Sequence, residues 1–293
     1  MKNARFIGFA CIIITTICYG LIPAFSFMAY GAGAQTETLL FDKFFYAAIL
    51  MWAVIIFKKI DFRIPREAWK PMAAVLVAYI GIATFLYMSF DYISGSLATI
   101  ISFMYPAFVV AFEMVTGKEK VSIKRITAVV ISMVGMCLIV WGPDMKLQVL
   151  GVIFALLCAV SYTVYALALG SPSLKGVHPL VTPAYVLGVS AVFNFFRCII
   201  SGKPLFTDTP AQLMYILLLA VICAFVAILC YCVGVRLIGS SNAAIINTFE
   251  PACACVFSYF LVGDAITLSM IGGGVLIILA VLLTALPDRR QNG

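Results

Sequence analysis

Glu250 is the residue of this sequence best placed to do chemistry. Thirteen uncharged residues separate it from Arg236 on one side, and thirteen from Asp264 on the other. A carboxylate in so apolar a run costs several kcal/mol if it faces lipid, so it is expected to face a cavity. There it would bind a cationic substrate group or a coupling proton, or sit protonated against a neighbouring helix. Asn247 is three residues earlier and shares its helical face. Asp42 and Lys43 are adjacent opposite charges near the start of another apolar run, and would serve as a gate or a structural ion pair. Tyr19, Tyr79, Tyr87, Tyr162 and Tyr165 carry polar tips inside apolar runs, where they would line a pathway or pack. Glu113 lies close enough to Lys118 to reach an interface by extending its side chain.

Metal chemistry is not expected. His178 is the one histidine, beside Pro179 in a loop. Cys230/Cys232 and Cys253/Cys255 are spaced by two, so on a helix each pair points apart rather than at one ion. The ten cysteines all lie in apolar runs, where they read as small packing residues rather than a disulfide framework.

The elements that must position these residues are membrane-spanning helices. Of 293 residues 64% are hydrophobic and 11% charged, against about 25% charged in soluble domains. Mean hydropathy is +1.14. A span needs roughly 20 apolar residues. Apolar runs fall at 6–29, 38–57, 71–90, 94–116, 123–141, 147–169, 180–200, 212–235, 239–262 and 268–286, giving an all-α integral membrane protein of ten transmembrane helices. The first run is too long for a signal-peptide core. With both termini cytoplasmic, fifteen of the nineteen basic residues fall on the inner side; Lys43, Lys146, Arg197 and Lys203 do not. Positive charge concentrated inside supports that topology in a cell membrane. Trp69 and Trp141 fall near interfaces. The short basic loops serve as topology signals, and no nucleic-acid partner is expected.

The chain also resembles itself. At an offset of 145, Tyr92–Ile123 aligns without a gap on Leu237–Leu268, with eight of 32 columns identical. Pro106 falls on Pro251 and Ser96 on Ser241. Glu119 falls on Asp264, similar in kind. An offset of 143 pairs Gly8 with Gly151 and Tyr19 with Tyr162. The offset carries five helices, an odd number, so residues 1–145 and 146–293 would form two inverted five-helix repeats. The basic loop after the fourth helix, with Lys118, Lys120, Lys124 and Arg125, has an acidic counterpart in Asp264, as inversion requires. Tyr105 then takes the repeat position of Glu250, and Ser102 that of Asn247, so the four are expected to face one another near the midplane. Pro106 and Pro251 are expected to kink their helices.

The segments Ser94–Pro106 and Gly239–Pro251, each with small residues at its start and a helical proline at its end, resemble the EamA-type branch of the drug/metabolite transporter superfamily. Glu119, Asp264 and the glycines 272–274 of the last helix fit the same pattern. Lys43 stands near the place where that family often carries an arginine. The resemblance implies a secondary transporter with a central cavity between two halves, moving amino acids, other metabolites or drugs, with export as the family tendency. A polar, partly aromatic cavity with one carboxylate suits a zwitterion such as an amino acid, and equally a cationic drug or a nucleobase.

Other classes find little support. No G-x-x-x-x-G-K-[ST] or H-E-x-x-H motif occurs, and no T-V-G-Y-G filter. An enzyme is not expected, nor any cofactor. A scaffold role and the oligomeric state stay open; Ala128, Ser132, Gly135 and the 272–274 glycines allow close packing within or between chains. The partners expected are a small-molecule substrate and the lipid bilayer, with a proton as coupling ion.

Overall fold

A computed structural model describes residues 2–90, 92–93, 95–117, 123–140, 148–263 and 267–285. Lys118, Glu119, Lys120, Trp141, Lys146, Asp264, Arg289 and Arg290 lie outside the described residues, as does the side chain of Tyr87. The described chain is all-helical: every element is a helix. The first apolar run forms α1 (Lys2–Gly20) and α2 (Ile22–Gly31). It is followed by α3 (Thr36–Phe57), α4 (Trp69–Phe90), α5 (Gly95–Ser102), α6 (Tyr105–Val115), α7 (Ile123–Val140), α8 (Val149–Leu169) and α9 (Val181–Ile200). Then come α10 (Pro210–Leu218), a π-helical stretch (Leu219–Val226), α11 (Ala227–Ile238), α12 (Ser240–Asn247), α13 (Glu250–Leu261) and α14 (Leu268–Ala285).

Three apolar runs carry a short interruption of regular helix, with helical dihedrals kept at Leu21, Met104 and Phe249. The interruptions fall at Leu21, at 103–104 and at 248–249, each just before a proline: Pro23, Pro106 and Pro251. Proline lacks the N–H its helix needs and crowds the carbonyl four residues back. It is tolerated in the first turn of a new helix, and there all three prolines sit. The carbonyls deprived of their usual partner are those of Tyr19, Ser102 and Asn247.

By length and apolar composition, seven helical stretches among the described residues are able to cross a membrane. These are Ala4–Gly31, Thr36–Phe57, Arg66–Leu86, Val149–Leu169, Val181–Ile200, Pro210–Ile238 and Ser240–Leu261. Large apolar side chains such as Ile13, Ile49, Val77, Val134 and Ile278 stay exposed on the outer faces. In water they would form an aggregating surface; against lipid tails their exposure costs nothing.

The helices pack as α1 on α11, α4 on α8, α3 on α9 and α7 on α14. Glycine permits the closest crossings. A Cβ on Gly8 would fall 2.5 Å from Ile238 Cγ2, and one on Gly151 would fall 2.7 Å from Ile93 Cγ2. A Cβ on Gly135 would fall 2.6 Å from the Gly273 carbonyl oxygen.

The bundle has two distinct ends. At the basic end, Lys58, Lys59 and Arg63 face Gly176 and His178 across a cavity of about 450 Å³. Arg236 closes the last turn of α11 there, donating to the Val177 carbonyl at 2.8 Å and to Thr182 Oγ1 at 2.6 Å. At the opposite end, the 201–209 link lies against α3. Thr38 Oγ1 donates to the Pro204 carbonyl at 2.6 Å, and the Phe206 ring meets Phe41 and Phe45 at 5.5 and 5.6 Å. Arg197 pairs with Glu37 at 3.4 Å.

Candidate functional site

The break before Pro251 creates the site. It places Glu250 at the first residue of α13 rather than in mid-helix. A carboxylate there meets the partial positive charge of a helix N-terminus, worth about 0.3–1 kcal/mol. Asn247, the last residue of α12, donates from Nδ2 to Glu250 Oε2 at 3.1 Å. Its own Oδ1 accepts from Thr16 Oγ1 of α1 at 3.2 Å. The chain Thr16–Asn247–Glu250 thus ties the broken helix to α1. Thr15 beside it donates to the Ala227 carbonyl at 3.1 Å, fixing α1 to α11 as well.

Aromatic side chains surround this carboxylate. Tyr105 stacks on Tyr162 with centroids 4.8 Å apart. Tyr165 stacks on Tyr231 at 5.5 Å and meets Tyr79 at 5.3 Å. Tyr19 lies within electrostatic reach of Tyr79, Tyr162, Tyr231 and Glu250. Tyr19, Tyr79, Tyr162 and Glu250 each keep part of their surface accessible. The Tyr105 and Tyr231 hydroxyls and Ser102 Oγ are fully buried, and none makes a well-formed hydrogen bond among the described residues. Buried polar atoms are rarely left so.

Lys43 supplies the opposite charge. It is buried in α3, with Nζ 5.2 Å from the centroid of the Phe44 ring. It lies within electrostatic reach of Cys223 and Glu250. Asp42 serves another purpose. Its Oδ2 accepts from the Thr207 backbone N–H at 3.1 Å, holding the 201–209 link. Of the two readings of Asp42 and Lys43, gate or structural ion pair, no ion pair between them is seen among the described residues.

The structure thus brings Tyr19, Tyr105, Tyr162, Asn247 and Glu250 together, with Ser102 one turn before Tyr105 across the break in its own run. Thr16, Tyr231 and Lys43 in the role of facing cation were not singled out from sequence. Tyr231 was open to the rule that flagged the other tyrosines, and Pro23 to the one that flagged Pro106 and Pro251. Glu113 does not reach outward. It is 8% exposed and its carboxylate accepts from Ser241 Oγ of α12. The expected snorkelling fails because α6 turns this face toward α12 rather than toward lipid. Among the described residues no cluster of three or more His, Cys, Asp or Glu is arranged to hold a metal ion.

The chain matches the EamA-like transporter family twice, over residues 6–141 and 149–286. An uncharacterized transporter of Archaeoglobus fulgidus is 24% identical over 283 residues, covering 94% of this chain and 95% of its own length. The uncharacterized transporter YcbK of Bacillus subtilis is 23% identical over 285 residues, covering 93% and 91%. A solved crystal structure superimposes with a TM-score of 0.82 at 16% identity, covering 98% of this chain and 99% of the other, which shows a shared fold. The chain belongs to the EamA-like transporter family and is a multi-pass membrane protein.

Proposed function

We propose that this member of the EamA-like transporter family is a secondary active carrier of small zwitterionic metabolites such as amino acids, working by alternating access. The observation that carries the reading is the grouping of opposite charges with tyrosines. Lys43, buried in α3, lies within electrostatic reach of the half-buried Glu250, which the tyrosines surround. Substrate carboxylate would go to Lys43 and substrate ammonium to Glu250, with tyrosine faces adding cation–π attraction. Without substrate the two charges would partly compensate one another. A proton on Glu250 is the coupling we infer, and export the direction.

The architecture proposed with it is ten helices in two inverted five-helix repeats, 1–145 and 146–293, with both termini cytoplasmic in the cell membrane. The seven apolar stretches are joined by α5 with α6, by α7 and by α14. Gly8 against Ile238 and Gly151 against Ile93 support the repeat, because an exchange of halves converts one contact into the other. The same exchange relates α1 on α11 to α8 on α4. It relates α6 on α12 to α13 on α5, and here the two ends differ. At the basic end α12 packs on α6, whereas α5 and α13 make no comparable contact among the described residues. That asymmetry supports a conformation closed at the basic end and open at the other, as rocking of two halves about a midplane site requires.

The test is flux into proteoliposomes with amino acids, nucleobases and organic cations, with and without a pH gradient, wild type beside Glu250→Gln. Gradient-dependent amino-acid flux that disappears in the variant supports the reading. Flux of organic cations alone supports a multidrug carrier, which the tyrosine-lined carboxylate favours as second reading. Gradient-independent flux that survives the variant makes the protein a facilitator, and absence of any flux favours a scaffold.

A further inference from the structure

We propose that Glu113 is a positioning residue of the transport cycle: its contact with Ser241 is the clasp that holds α6 on α12 and keeps the basic end shut. The inference rests on the alternating-access reading above. Glu113 and Ser241 are both buried, at 8% and 1% exposure, and belong to opposite halves of the chain. The carboxylate meets the first turn of α12, where the helix N-terminus favours an anion.

Apolar packing lies beside this contact: Val109 shares a buried cluster with Ala244, and Val110 shares one with Ile245. Opening the basic end would admit water between the halves, so this packing also favours closure. The carboxylate–hydroxyl contact adds a directional, charge-assisted bond that joins one residue of each half.

The opposite end lacks the means to copy it. At the 145-residue offset, Glu113 corresponds to Ser258 and Ser241 to Ser96. A closing contact between α5 and α13 would pair two hydroxyl residues and no carboxylate. The clasp therefore favours the conformation in which the basic end is the closed one.

Hydrogen exchange on the full-length protein in nanodiscs tests this, with wild type, Glu113→Ala, Glu113→Gln and Ser241→Ala compared. Loss of the clasp should raise exchange in 240–247 by about tenfold and lower it in 250–261, as one end opens and the other closes. Glu113→Gln, which keeps an acceptor, should fall between wild type and Glu113→Ala. A rise in both segments would mean mere loosening of the fold and would overturn the proposal, as would no change in either. Wild type with substrate gives the separate check on the carrier reading. If substrate moves the two segments in opposite directions while Glu113→Ala and Ser241→Ala do not, alternating access stands and the clasp falls.

Discussion

Asn247 Nδ2 donates to Oε2 of Glu250 at 3.1 Å across the gap between α12 and α13. The bond joins the two halves of a broken helix by side chains where the backbone ladder is interrupted. It also makes the carboxylate's orientation depend on α1, through Thr16.

Removing the carboxylate should disable transport without unfolding the protein. Glu250→Gln keeps the shape and an acceptor for Asn247. Flux is expected to drop at least tenfold and lose its response to a pH gradient, with an unchanged elution profile in detergent.

Breaking the link to α1 should cost both stability and affinity. Asn247→Ala leaves Glu250 short of a partner, while Thr16 keeps the Ile12 carbonyl at 2.8 Å; an unmade buried hydrogen bond costs about 1–3 kcal/mol. Thr16→Val leaves Asn247 bonded to Glu250 and should cost less. Thermal unfolding in nanodiscs, with substrate affinity measured alongside, ranks the two.

Lys43 should select the carboxylate of the substrate. Lys43→Met is expected to abolish uptake of zwitterions while uptake of the corresponding amines, lacking the carboxylate, persists. Equal loss of both would make Lys43 a structural counter-ion of Glu250.

Matched substitutions should test the repeat. Gly8→Val and Gly151→Val put a side chain where a Cβ already approaches Ile238 and Ile93 to 2.5 and 2.7 Å. Each should destabilise by roughly 1–3 kcal/mol through overpacking. Gly31→Ala, with nothing within 4 Å of its Cβ, should leave the melting temperature unchanged.

Most apolar runs could be delimited from residue chemistry alone because hydrocarbon admits so few backbone solutions. Helix ends such as Ile200 and Leu169 fall where charge or glycine returns. The prolines are visible as well, but where regular helix stops and restarts around them is not, because a proline in a continuous helix and one opening a new helix look alike in sequence. That difference moved Glu250 from mid-helix to a helix start. Glu250 and Asn247 could be found because a polar residue in an apolar run needs a reason to be there. The direction of Lys43 could not, since its neighbour Asp42 offered an equally good partner. What separated them was the 201–209 link, which supplies the Thr207 N–H from far along the chain. The surroundings of Glu113 are hidden in the sequence for a similar reason. Rotation about a helix axis decides whether a side chain meets lipid or protein, and a uniformly apolar run carries little record of it.

The π-helical stretch at Leu219–Val226 has a consequence for how this chain tolerates changes in length. Deleting one residue from an α-helix turns everything beyond the cut by about 100°. In α11 that would swing Tyr231 and Cys232 away from Tyr165. A π turn already holds one residue more than the ladder needs. Loss of a residue between 219 and 226 can relax the stretch to ordinary α-helix and leave the bearing of Tyr231 intact. Deletions should therefore be survivable in that short window and ruinous in α11, a few residues further on.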